Sequence, residues 1–240
     1  NVLETLNAKF KVNVDGTPSA TITGASNVVL TSDIDSSTTN YTVTVSNSAD
    51  ASALTKATSL TANAAGTLIG GSAADTINGS AGADSLVGGA GNDTIIGNGG
   101  NDSMNGGDGN DVYQFASTAN LTAATITSTS GSDTISMTAG GLTITDAAFA
   151  NKSGAATLTL NGGGANTVTL GTNASSAGIT TVNAGGAGDT VNASAYTSSV
   201  TLVGGAGNDV LTGGSAADSI TLGAGNDNVT GGGADDTFTP

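Results

Sequence analysis

Nine aspartates fall in one phase of a nine-residue unit: Asp75, Asp84, Asp93, Asp102, Asp111, Asp209, Asp218, Asp227 and Asp236. The first five belong to the consecutive units GGSAADTIN, GSAGADSLV, GGAGNDTII, GNGGNDSMN and GGDGNDVYQ, from Gly70 onward. The last four belong to GGAGNDVLT, GGSAADSIT, LGAGNDNVT and GGGADDTFT, between Gly204 and Thr239. Every unit carries Asp in the sixth place and an apolar residue in the eighth, and all but LGAGNDNVT open on glycine. Glycine turns can aim backbone carbonyls at one point, and the Asp adds a carboxylate. Carbonyl plus carboxylate oxygen is the hard donor set that calcium favours. A metal-free solenoid with Gly-Asn-Asp turns is the plainer reading, and nine phased repeats make it the weaker one.

These donors need a scaffold. The three residues after each Asp predict a short strand with its middle residue inward: Ile77, Leu86, Ile95, Met104 and Tyr113 in the first array. One unit cannot bury that residue alone, but stacked units can. The predicted fold is all-β, a right-handed parallel β-solenoid or β-roll with glycine-rich turns.

The nonapeptides resemble the RTX (repeats-in-toxin) family, whose β-rolls use two units per turn. The resemblance implies calcium held between same-side turns, eighteen residues apart in this sequence. One turn would supply the carbonyls of places two and four and its Asp, and the next the carbonyls of places one and three and its Asp. Gly71, Ala73 and Asp75 would then face Gly88, Ala90 and Asp93. Ser80, Gly82 and Asp84 would face Gly97, Gly99 and Asp102. Gly89, Gly91 and Asp93 would face Gly106, Asp108 and Asp111. Asp209 would pair with Asp227, and Asp218 with Asp236. On this scheme Asp93 is the only first-array Asp with partner turns on both sides, and its two oxygens would serve two ions. Ala73, Ala216 and Ala234 depart from the fourth-place glycine and Leu222 from the first-place one, which weakens the expectation at those turns.

Composition narrows the class. The chain has 240 residues, 38 of them glycine, and only 10% are charged, against a norm near 25%. Regularly spaced Thr, Val and Ile favour an extended β-solenoid over disorder. The net charge is −15, with four Lys and no Arg, which argues against nucleic acid and anionic membranes as partners. No apolar run reaches the roughly 20 residues of a membrane span. There is no Cys, so nothing is stapled by disulfides. The sequence lacks a signal-peptide pattern and stops directly after a repeat, which reads as a fragment of a longer protein.

Four segments are expected. Residues 1–64 form a Thr/Ser-rich β segment, either the start of the solenoid or a small separate β-domain. Alternation in Lys9–Val14 and Tyr41–Val45 predicts strands there. The nine-residue spacings Ile34–Val43, Val45–Leu54 and Leu68–Ile77 favour the solenoid. Residues 65–115 hold the first array, 116–203 a degenerate solenoid and 204–240 the second array. In the degenerate part Ile126, Ile135 and Ile144 keep the spacing of nine, as do Val182, Val191 and Val200. Eroded repeats are read at Asp133, at Asn166 where Asp would stand, and at Asp189, taken as one residue short of phase. Asp146–Gly154 breaks the period and reads as a surface loop or kink. Strong helix signals are absent, and Asp50–Ala62 is the one stretch that could wind. Tyr113, Phe115 and Phe238 are expected to cap the arrays.

The chain has no His and no Cys, so Ser-His or Cys-His catalysis has no base and the usual zinc or iron ligands are missing. Its Asp residues lie in polar turns, unlike the paired carboxylates of glycosidases. The chain reads as non-catalytic. Leu3–Asn7 (LETLN) and Asp50–Leu54 (DASAL) resemble RTX-type surface-layer proteins of Gram-negative bacteria. That resemblance implies type I secretion, a place on the bacterial cell surface and calcium-driven contacts between identical chains in a two-dimensional lattice. Cell-surface polysaccharide would be met through another part of the parent chain. The alternative is the RTX module of a large secreted adhesin, toxin or hydrolase. Scarce aromatics, 3%, speak against a dedicated binding face.

Overall fold

The structure, a computed structural model, describes residues 19–21, 27–30 and 40–240. The expectations for Leu3–Asn7, Lys9–Val14 and Ile34 lie outside the described residues. The chain divides into two units, one formed by residues up to Tyr113 with Ala124–Gly131, the other by Gln114–Ala123 with Ser132–Pro240.

The first unit is a parallel β-solenoid with two sheet faces. One face runs through Ser19–Thr21, Asn40–Val45, Ala57–Ala62, Thr76–Asn78, Thr94–Ile96 and the first half of Val112–Phe115. The other runs through Val28–Val29, Ala49–Asp50, Thr67–Ile69, Ser85–Ala90, Ser103–Asp108 and Thr125–Thr127. Within the array the register is eighteen residues per turn: Ile77 pairs with Ile95, Leu68 with Leu86, and Leu86 with Met104. The same stacks continue upstream, with Val43 beside Leu60 and Leu60 beside Ile77. Leu60, Leu68, Ile77, Leu86 and Ile95 are fully buried, each contributing roughly 1.5–3 kcal/mol. A short strand with one inward residue is stable only because the same residue recurs above and below it.

Asp50–Ala62 is not helical. Ala57–Ala62 is a strand whose burial alternates, with Thr58, Leu60 and Ala62 inward. The period of two in those residues outweighs the helix propensity of the alanines. Tyr113 and Phe115 are buried core residues rather than end caps, whereas Phe238 is 51% exposed.

The second unit is also a parallel solenoid. One face comprises Asp133–Met137, Ala155–Leu160, Thr181–Asn183, Thr201–Ala206, Ser219–Ala224 and Thr237–Thr239. The other comprises Thr143–Ile144, Thr167–Thr169, Thr190–Asn192, Val210–Thr212 and Asn228–Thr230. Ile135, Leu158, Val182, Leu202 and Ile220 form one buried stack, and Ile144, Val168, Val191 and Leu211 the other. The turn lengthens to 24 residues between Leu158 and Val182 and returns to 18 between Leu202 and Ile220.

The extra residues are folded. Helices span Thr118–Ala123 and Thr172–Ala177, and a 3-10 helix spans Asp146–Phe149 and packs against both. The period does break at Asp146–Gly154, but the segment turns inward: Phe149 and Lys152 are buried. Lys152 Nζ donates to the Ala150 carbonyl at 3.1 Å, and burial pulls its ammonium down to about 8. Asp146 caps the neighbouring helix from outside it. Its Oδ1 accepts from the backbone N–H of Gly171 at 2.7 Å and of Ala174 at 2.9 Å. Its Oδ2 accepts from the N–H of Asn173 at 3.1 Å and from Asn173 Nδ2 at 2.9 Å. These are the donors that a helix N-terminus leaves unpaired.

Asp146→Ala therefore leaves three backbone donors without their acceptor. The expected outcome is a loss of about 2–3 kcal/mol in urea unfolding of the calcium-loaded protein. The number of calcium ions bound at saturation should not change. A lower ion count would mean that Asp146 is a ligand rather than a cap.

Candidate metal centre

The aspartates of the repeats line up in columns, one turn above the next. Each carboxylate reaches back to the preceding same-side turn and accepts a backbone N–H there. Asp93 Oδ1 accepts from Asp75 N at 2.7 Å, Asp102 Oδ1 from Asp84 N at 3.0 Å, and Asp111 Oδ1 from Asp93 N at 2.8 Å. In the second array Asp227 Oδ1 accepts from Asp209 N and Asp236 Oδ1 from Asp218 N, both at 2.9 Å. The columns begin before the arrays: Asp75 Oδ1 takes Thr58 N at 2.6 Å, Asp84 Oδ1 takes Gly66 N at 2.7 Å and Asp218 Oδ1 takes Val200 N at 2.8 Å.

Asp75, Asp84, Asp93, Asp102, Asp111, Asp209 and Asp218 are all buried. Asp227 and Asp236 are half-buried. The eighteen-residue pairing brings each Oδ2 towards a carbonyl of the next same-side turn. A β-carbon on Gly88 would collide with both Asp93 Oδ2 and the Gly106 carbonyl oxygen. The same convergence joins Asp75 Oδ2 with the Gly88 carbonyl, Asp84 Oδ2 with that of Gly97, and Asp209 Oδ2 with that of Leu222. At Gly70, Gly79, Gly88 and Gly204 the carboxylate and the carbonyl fill the space a side chain would take.

The turns fall into two classes. In 88–93 the second and fourth residues, Gly89 and Gly91, have φ of 116° and 113°. Asn98 and Gly100 repeat this at 66° and 108°, and asparagine tolerates that region better than most residues. In 70–75, 79–84 and 213–218 no residue has positive φ. There the second-place N–H folds onto the turn's own carboxylate: Gly71 N to Asp75 Oδ2 at 2.6 Å, Ser80 N to Asp84 Oδ2 at 2.7 Å, Gly214 N to Asp218 Oδ2 at 2.6 Å. Those turns carry Ala73 or Ala216 in the fourth place, or Ser80 in the second, where a β-carbon disfavours positive φ. In open turns the oxygen is left over. Asp93 Oδ2 and Asp209 Oδ2 are buried and meet no donor.

A buried carboxylate oxygen without a donor is costly unless a cation or a proton meets it. Among the described residues no three acidic side chains converge, so a cation here would be held mainly by carbonyl oxygens. That donor set fits calcium. Some of the expected carbonyls are engaged between turns: Gly71 O accepts from Ala90 N at 2.9 Å, Ser80 O from Gly99 N at 3.4 Å and Asp108 O from Gly91 N at 2.8 Å. A carbonyl has a second lone pair for an ion. The carbonyls of Ala73 and Gly82 lie in the gap, against Gly91 and Gly100 of the next turn. Those of Gly89 and Gly91 lie against Gly107 and Gly109. Of the two Asp93 oxygens, Oδ1 already accepts the Asp75 N–H, and Oδ2 meets no donor. Gly106 is fixed from within the core, where its N–H donates to Tyr113 Oη at 2.8 Å.

Residues 63–95, 79–113 and 201–238 match the RTX calcium-binding nonapeptide repeat, in four copies. These segments are RTX calcium-binding repeats. Repeats of this family bind calcium ions, and they cover a little over a third of this chain. No curated protein and no solved structure matches it.

Sequence reasoning placed Asp189 one residue out of phase. The structure sets Ala184 in the first place, since its N–H donates to Val203 O as Gly70 N does to Val87 O, both at 2.8 Å. Asp189 is then a sixth-place residue. The signal lay in reading the unit from Ala184, as AGGAGDTVN.

Burial raises the carboxylates of Asp75, Asp93, Asp102, Asp189 and Asp209. Asp93 rises to about 7, by desolvation and then by the charges of Asp111 and Asp75, against the Asp75 N–H that lowers it. Asp102 rises to about 6, by desolvation first, with the Asp84 N–H lowering it and the Asp84 charge adding to the rise.

Two outcomes are expected. Asp93→Asn removes the free oxygen of an open turn, and Asp75→Asn a carboxylate already closed by Gly71 N. Calorimetric calcium titration should show the larger loss of affinity, about tenfold or more, for Asp93→Asn; equal losses would contradict the two turn classes. The second concerns pH. A folded carboxylate with a raised pKa retains protons that the unfolded chain releases above about pH 4. The metal-free fold is therefore favoured below pH 4 relative to higher pH, and that advantage is lost as pH rises towards 7. Circular dichroism without calcium should show more β structure at pH 5 than at pH 8. Calcium affinity should run the opposite way, because binding displaces the protons.

Proposed function

We propose that this chain is a structural, calcium-dependent β-roll of an extracellular surface-layer protein, unfolded during export and assembled outside the cell. The observation that carries the calcium part is the buried, donorless carboxylate oxygen of the open turns, Asp93 Oδ2 and Asp209 Oδ2. Each proposed ion would be held between same-side turns by the carboxylates and the first-place carbonyls of Gly88, Gly97 and Gly106. The carbonyls of Gly71, Ala73, Gly82, Gly89, Ala90, Gly91 and Gly99 complete the candidate ligand set.

The lattice part is supported by where the charge lies. The net charge is −15, yet nine aspartates, including Asp133 and Asp189, are buried. Calcium in the columns neutralises charge that would otherwise repel both turns and copies. In the second unit the outward residues of one face form a rank, Thr134, Thr157, Thr181, Thr201, Ser219 and Thr237, with no charged side chain among them. Two such faces can approach each other without like-charge repulsion.

The test is a calcium titration followed by two readouts. Circular dichroism should show the β signal growing at about 0.1–1 mM calcium, the range of extracellular modules. Light scattering and electron microscopy should then show ordered self-association. A β signal unchanged by chelator would remove the calcium-dependent fold. Folding without association, at high protein concentration and millimolar calcium, would favour an RTX module of a larger adhesin, toxin or hydrolase.

A further inference from the structure

The column of carboxylates through Asp209 and Asp227 does not stop where the consensus repeats stop. In the second unit it runs upstream from Asp209 to Asp189, then to Asn166, then to Leu142. Asp189 N donates to Asp209 Oδ1 at 2.7 Å, Asn166 N donates to Asp189 Oδ1 at 2.6 Å, and Leu142 N donates to Asn166 Oδ1 at 3.0 Å. Asp189 lies outside the matched segment 201–238 and twenty residues before Asp209 rather than eighteen. The added residues do not disturb the turn side. Val210 N still donates to Asp189 O at 2.8 Å, and Ala206 N to Gly185 O at 2.9 Å, so turns 184–189 and 204–209 stack as two consensus turns do.

We propose that a calcium ion binds between these two turns, with Asp189 as its own ligand and Asp209 shared with the site below. Asp189 is 1% exposed, and its Oδ2 is buried without a donor. Gly185 has φ of 100°, the open-turn geometry at the second place, so its N–H is not folded onto the carboxylate. The carbonyls of Gly185 and Ala187 press against Gly205 and Gly207 in the gap. A carboxylate, a neighbouring carboxylate that spans the gap and two carbonyls give the oxygen set of a hard divalent cation.

Asn166 explains why the ion column ends here. Its Nδ2 donates to Asp189 Oδ1 at 3.0 Å, where a sixth-place Asp would have brought a second negative charge. The amide satisfies the upper side of Asp189 without a metal. The ion satisfies the lower side. Asn166 is a neutral cap that joins the calcium-loaded turns to the metal-free ones.

The inference rests on the calcium reading of the repeats, and the experiment separates the two. Crystals of the wild-type chain grown in calcium should show anomalous density between turns 184–189 and 204–209, comparable to that within the arrays. Ions in the arrays with none at Asp189 overturn this site and leave the repeats intact. No ions anywhere overturn both. In solution, Asp189→Asn should bind one ion fewer than the wild type in calorimetry, with the remaining ions retained. An unchanged count for a variant folded in calcium overturns the proposal and assigns the spare oxygen of Asp189 to a proton.

Discussion

The fold rests on a repeated contact between a carboxylate and the backbone of the turn before it. Asp Oδ1 accepting the sixth-place N–H of the preceding same-side turn, as Asp93 does from Asp75, occurs throughout both arrays. It fixes the spacing of the turns and buries a negative charge at each one. A stack of buried carboxylates repels itself and is poorly solvated. Stability thus depends on what meets the second oxygen: a folded-in N–H, a proton or a cation.

The two turn classes are alternative answers to that requirement. Closed turns such as 70–75 satisfy Oδ2 with their own second-place N–H, at 2.6 Å from Gly71. Open turns such as 88–93 give up that bond by placing Gly89 and Gly91 at positive φ. Their carboxylate is left to an external partner. Residue type biases the choice: Ser80 stands in a closed turn and Asn98 in an open one, yet Ala234 takes φ of 66° in the fourth place, where Ala73 and Ala216 do not. Closed turns stand at the upstream ends of three columns, so the ladder can begin without a metal and become metal-dependent further in.

The apolar stacks are the second constraint, and they are indifferent to calcium. Ile77 on Ile95, or Val191 on Leu211, needs only register. This lets the turns widen where ligands are absent. Between Leu158 and Val182 the turn takes 24 residues, and the excess folds into Thr172–Ala177, held at its start by Asp146. Degenerate turns thus trade an ion for local hydrogen bonds while the core runs on beneath them.

The sequence by itself determined the period, the inward residues and the phase of nine aspartates. Each of these is local and repeated, so stacking only multiplies what one nonapeptide already states. It also located the break at Asp146, because a missing beat is as local as a present one. What it did not determine depends on neighbours across turns. Whether Asp75 Oδ2 is closed and Asp93 Oδ2 is open follows from backbone φ, which a residue type biases without deciding. Ala57–Ala62 became a strand because Val43 and Ile77 flank Leu60, and the buried position of Phe149 was set by the helices it packs against. The phase of Asp189 was decided by the pairing of Ala184 with Val203, a contact between residues nineteen apart that no single repeat contains.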